Sequence, residues 1–103
     1  MREKTSSREP SGPDPDHLAI TALVYISGDT ELMSRFLSMT GLDPSDLRAA
    51  AADPRFLLAV LDFLMSDDIT LVGFAAAEGI NPEAVTRAHH RLRRSVDPAA
   101  DMY

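Results

Sequence analysis

The feature that most constrains this chain is its punctuation. An aspartate or asparagine followed by proline stands at Asp14-Pro15, Asp43-Pro44, Asp53-Pro54 and Asn81-Pro82, and each pair heads a run of apolar residues at helical spacing. The side-chain oxygen of such a residue accepts from the free amides of a first helical turn. Proline has no N–H to leave unsatisfied there, and its fixed φ already suits a helix. Asp29 and Asp67 occupy the same kind of position without a following proline. Gly28, Gly41 and Gly79 close runs, as glycine does where a helix ends in a left-handed turn. No segment alternates with a period of two, so no strand is predicted.

The runs between these marks read as helices. Leu18, Ala19, Ala22, Leu23 and Ile26 form the stripe of a first helix. Leu32, Met33, Phe36, Leu37 and Met39 belong to a second, and Leu47 and Ala50 to a short third, where Asp46 stands at a capping-box position. The fourth, from Arg55 to Ser66, is apolar nearly all round. Ile69, Leu71, Val72 and Phe74 sit in a fifth helix, and Val85, Ala88 and Leu92 line a sixth. Asp97-Pro98 marks the end of order.

Self-similarity appears at a fixed offset. Leu23, Asp29, Phe36, Gly41 and Pro44 recur as Leu61, Asp67, Phe74, Gly79 and Pro82. Two three-helix units, each too small to close a core alone, could close one together. The predicted fold is therefore all-α: a compact bundle of five to six short helices, arranged as two pseudo-repeats of a three-helix unit. The helical domain covers 14–96, with a polar tail at 1–13 and a flexible C-terminus at 97–103.

Composition narrows the function classes. The 103 residues suit one domain, and an apolar content of 45% is enough for a core. With no cysteine, disulfides, thiolate zinc sites and cysteine nucleophiles are excluded, which fits a reducing cytoplasm. The stretch MREKTSSREPSGPDPD has no apolar core of a signal peptide, and no apolar run approaches the length of a bilayer span. Charge is uneven within the net −6. From Asp14 to Thr86 twelve acidic residues face three arginines, whereas Arg87, Arg91, Arg93 and Arg94 have no acid among them. The body should repel nucleic acid and acidic membranes.

The stretch FLSMTGLDPSDLRAAAADPRFLLAVLDFLMSDD, from Phe36 to Asp68, followed by LVGFAAAEGINPEAV, resembles a bacterial family of short helical proteins, domain of unknown function 3572. The similarity runs from about Leu18 to Leu92, and its most specific blocks are TGLDP (Thr40 to Pro44) and VLDFL (Val60 to Leu64). The resemblance implies an all-helical bacterial cytoplasmic protein. It implies no activity, cofactor or catalytic residue.

The candidate sites are few. Asp43, Asp53 and Asp67 head helices, so capping accounts for them before acid–base chemistry does. Asp67 and Asp68 are sequence neighbours, which point apart on a helix and make a poor carboxylate pair. His89 and His90 are adjacent too, without the spacing of three or four that zinc requires, and His17 near Asp14 and Asp16 is a loose cluster. No catalytic residue, metal or cofactor is expected. Arg87, His90, Arg91 and Arg94 share one face of the last helix, a candidate basic patch. In the fourth helix Asp62 should mark the side nearest solvent, so Leu58 and Met65 beside it form a candidate apolar partner surface. Gly73, inside a helix, should let a neighbour approach closely.

These readings point to a non-catalytic interaction or regulatory adaptor module with a protein partner, self-association being an open alternative. The competing reading is a nucleic-acid-associated protein using the basic end of the last helix, which the acidic body disfavours. An enzyme would need a concave pocket with convergent polar groups.

Overall fold

The computed structural model describes residues 14–97; the expected tail at 1–13, and the expected flexible C-terminus at 97–103 apart from Asp97, lie outside the described residues. The elements are α1 (Pro15–Ser27), α2 (Thr30–Thr40), a 3₁₀ turn (Pro44–Asp46) leading into α3 (Leu47–Ala50), α4 (Pro54–Met65), α5 (Asp68–Glu78) and α6 (Pro82–Val96). They form an all-α bundle, with no strand among the described residues.

The caps behave as the side-chain chemistry requires. Asp14 accepts from the Asp16 amide at 3.1 Å, Asp29 from Glu31 and Leu32 at 2.9 and 3.2 Å, and Asp53 from Arg55 at 2.9 Å. Asn81 accepts from Glu83 at 2.8 Å. Asp67 works with both oxygens: Oδ1 accepts from the Ile69 amide at 3.2 Å, and Oδ2 from the buried Thr70 hydroxyl at 2.8 Å. Asp46, by contrast, makes no side-chain capping bond; the 3₁₀ turn is closed instead by its own amide donating to the Asp43 carbonyl.

Gly41 and Gly79 end α2 and α5 at φ of +75° and +69°, a left-handed conformation that costs other residues about 1–2 kcal/mol. Their amides donate back to Leu37 in the first case and to Ala75 and Ala76 in the second.

Helix α4 is the centre. Its buried residues are Phe56, Leu57, Val60, Leu61, Phe63 and Leu64, which cover most of its circumference. It packs against α1, α5 and α6, and α1 packs in turn on α2 and α6. A helix apolar on nearly every side belongs inside, and three neighbouring helices enclose this one. Phe36 of α2 closes the core from the other flank. Its ring meets Phe56 and Phe63 edge-on, with centroids 5.7 and 5.4 Å apart, the geometry that aromatic quadrupoles favour. Phe74 of α5 meets Tyr25 of α1 edge-on at 5.4 Å.

Some stripe positions take other places than periodicity assigns. Met39, Ile69 and Val72 are exposed, while Leu23 is only half-buried. On α2 and α5 the buried set shrinks around Phe36 and Phe74, because each helix touches the rest of the bundle along one narrow line.

Candidate interaction surfaces

The apolar surface expected on α4 is smaller than the sequence suggests. Leu58 and Met65 are half-buried and pack against the core. Asp62 does mark the solvent side, with 58% of its side chain exposed. His89 of α6 reaches across to it, and its Nε2 lies 2.6 Å from Asp62 Oδ1. The contact spans 27 positions in sequence, so no local spacing could announce it.

The basic residues are placed as their spacing predicts. Arg87, His90, Arg91 and Arg94 are all exposed on α6, and Arg93 and Arg94 stand in its last turn, where cations complement the helix dipole. His89, their neighbour, turns inward, with 15% of its side chain exposed. The two adjacent histidines therefore serve different surfaces. Among the described residues no group of three histidine or acidic side chains converges to hold a metal ion.

Asp43, Asp53 and Asp67 are occupied by capping bonds. The Asp43 carboxyl is held below its ordinary value, first by the Ser45 amide and then by the Ser45 hydroxyl, which donate to it at 3.0 and 2.9 Å. Hydrogen bonds to the ionised form have this effect. Both donors belong to Ser45, two residues on, so the contact is a local cap of the 3₁₀ turn.

Two residue groups escaped the sequence reading. Arg35 of α2 stacks 5.8 Å from the centre of the Phe63 ring and lies 3.9 Å from Asp67, tying α2 to α4 and to the start of α5. The other group is the large apolar side chains left in solvent: Ile20 and Val24 on α1, Met39 on α2, and Ile69 and Val72 on α5. Their signal was present. Ile69, Val72 and Ala76 are spaced i, i+3, i+7 and so share a face, opposite the one that carries Thr70 and Phe74.

Two depressions adjoin these side chains. An apolar groove of about 430 Å³ lies among α1, α2 and α3, lined by Ile20, Leu23, Val24, Ser27, Met33, Leu47, Arg48 and Ala51. A more polar depression of about 230 Å³ lies at the starts of α2 and α5, lined by Tyr25, Asp29, Glu31, Leu32, Arg35, Asp67, Ile69 and Thr70.

The fold and its surfaces define a small helical bundle with helix-capping aspartates, a basic helix end and exposed apolar side chains on α1 and α5. No described helix is long and apolar enough to cross a membrane. The chain belongs to the family described as Protein of unknown function (DUF3572), whose model matches residues 13–95. No curated protein and no solved structure matches it.

Proposed function

We propose that this protein is a non-catalytic interaction module, a regulatory or adaptor protein that binds another protein through apolar helix surface. The observation that carries the reading is the pairing of Ile20 with Val24 on α1 and of Ile69 with Val72 on α5, each pair at helical spacing and each exposed. The bundle already encloses a core of aromatic and aliphatic side chains without them. Apolar side chains grouped on a helix face beside a groove are the usual receptor for another chain's apolar anchors. The aspartates that would have to serve an enzyme are engaged in capping.

The test is affinity purification of the tagged protein from its native cells at low and moderate salt, with wild type beside Ile20→Ser/Val24→Ser and Ile69→Ser/Val72→Ser. A stoichiometric protein held by wild type and lost from one variant supports the reading. Equal retention by both variants, or an empty eluate at both salt concentrations, overturns it.

A second reading rests on the exposed face of Arg87, His90, Arg91 and Arg94: contact with nucleic acid through the end of α6. It requires retardation of DNA or RNA at low salt that weakens steeply as salt rises, and Arg87→Ala/Arg91→Ala must reduce it.

A further inference from the structure

Helix α6 gathers cations on one face. Arg87, His90, Arg91 and Arg94 are exposed along it at i, i+3, i+4 and i+7. Like charges at such spacings oppose one another on a helix. The helix dipole accounts for cations in the last turn, where Arg93 and Arg94 stand, and its influence fades beyond that turn. Arg87 and Arg91 lie further back, and no carboxylate among the described residues forms an ion pair with either. Glu83, exposed one turn before Arg87, bounds the face on that side.

The surroundings select the kind of anion. From Asp14 to Thr86 twelve acidic residues stand against three arginines, so a polyanion that runs past the arginine face meets repulsion. Seven residues separate Arg87 from Arg94, a rise of about 10 Å. Duplex DNA carries a charge every ~1.7 Å along its whole axis and extends far beyond such a patch. Residues 82–96 contain no phenylalanine, tyrosine or tryptophan on which a base could stack. The fit is a short segment whose acids are confined to a turn or two. Carboxylates at i and i+4 of a helix are spaced as Arg87 and Arg91 are, and a guanidinium takes a carboxylate through two parallel hydrogen bonds.

Resting on the reading as an interaction module, we propose that the arginine face of α6 docks a short acidic helical segment of another protein. Two carboxylates of that segment, one helical turn apart, meet Arg87 and Arg91, and His90 and Arg94 extend the positive field. Charge complementarity of this kind sets the encounter rate and the choice of partner more than the strength of the complex.

The test uses fluorescence anisotropy with the full chain at low and moderate salt. The probes are two labelled alanine-rich helical peptides, one with glutamates at i, i+4 and i+7 and the other with glutamines there, and labelled DNA and RNA oligonucleotides. The glutamate peptide should bind wild type and weaken as salt rises, and the glutamine peptide should not bind. Arg87→Gln/Arg91→Gln should lower the affinity roughly threefold or more, as loss of two exposed ion pairs implies. Arg55→Gln, at an exposed arginine in the first turn of α4, should leave it unchanged. All substituted side chains are exposed, and helicity measured by circular dichroism confirms that each variant folds. Failure of the glutamate peptide to bind, equal binding of the glutamine peptide, unaltered affinity in Arg87→Gln/Arg91→Gln, or an equal loss in Arg55→Gln overturns the inference. Oligonucleotide binding that exceeds the glutamate peptide's and is lost in Arg87→Gln/Arg91→Gln gives the face to nucleic acid and also overturns it. The cell purification with the apolar variants decides the broader reading separately: a partner retained there while the peptide fails keeps the interaction module and removes only the arginine face.

Discussion

The hydroxyl of Tyr25 lies over Gly73, so that a Cβ added to the glycine would sit 2.9 Å from the phenolic oxygen. Tyr25 is on α1 and Gly73 in the middle of α5, and the Tyr25 ring also meets Phe74 edge-on. The mid-helix glycine thus makes room for a side chain.

This contact sets two opposing effects on Gly73→Ala. Alanine favours a helix interior over glycine by about 1 kcal/mol, while the new methyl group presses on the tyrosine. In wild type the gain should be largely cancelled. In a Tyr25→Phe background, where the oxygen is gone, Gly73→Ala should stabilise by about 1 kcal/mol. Urea unfolding of the four proteins of this cycle measures the difference, and identical effects in both backgrounds would remove the steric account.

The three helix-ending glycines should separate in the same assay. Gly41→Ala and Gly79→Ala should each destabilise by about 1 kcal/mol, because their φ values are positive. Gly28 sits at φ −80°, and a Cβ there would meet only carbonyl oxygens at 3.5 Å and beyond. Gly28→Ala should be neutral or mildly stabilising.

Core substitutions should rank by enclosure. Phe36 is fully buried between two aromatic rings, and Phe36→Ala should cost about 3–5 kcal/mol. That is a large part of the stability of a domain this size, which is on the order of 5–15 kcal/mol. Leu58→Ala, at a half-buried position, should cost less than about 2 kcal/mol. Denaturant midpoints read out the order, and the reverse ranking would contradict the packing described.

The Asp43–Ser45 cap makes a pH prediction. Because the folded carboxyl is held below its ordinary value, the cap contributes stability at pH above the unfolded aspartate's pKa. That contribution is lost as pH falls through the lowered folded value. Ser45→Ala removes the hydroxyl donor and keeps the amide donor, so the Asp43 pKa should rise part of the way back. Carboxyl-carbon NMR titration follows it directly, and an unmoved titration would show that the hydroxyl contributes nothing.

What the sequence revealed divides along the range of the interactions. Capping by Asp14, Asp29, Asp43, Asp53, Asp67 and Asn81 was legible because it acts over two or three residues. The termini at Gly41 and Gly79 were legible for the same reason. The centrality of α4 followed from its unbroken apolar circumference. Its surface was not legible, because the inward turn of His89 toward Asp62 depends on how α6 lies across α4. The open face of α5 was hidden similarly. Ile69 and Val72 look like core residues until the helix is docked along the line of Thr70 and Phe74. The positions matched at the 38-residue offset differ in setting: Leu61 is fully buried where Leu23 is half-exposed, and four-residue α3 stands where fifteen-residue α6 does.

The contact of α1 with both α4 and α6 bears on how the chain can come apart. The first three helices hold to the last three chiefly through that one docked element, which the short turn at Ala51 and Ala52 keeps at high effective concentration. Severing the turn would leave the packing unchanged but make it bimolecular, so that dilution alone could separate the halves. Covalent continuity across Ala51 and Ala52 is therefore part of what holds this small bundle together.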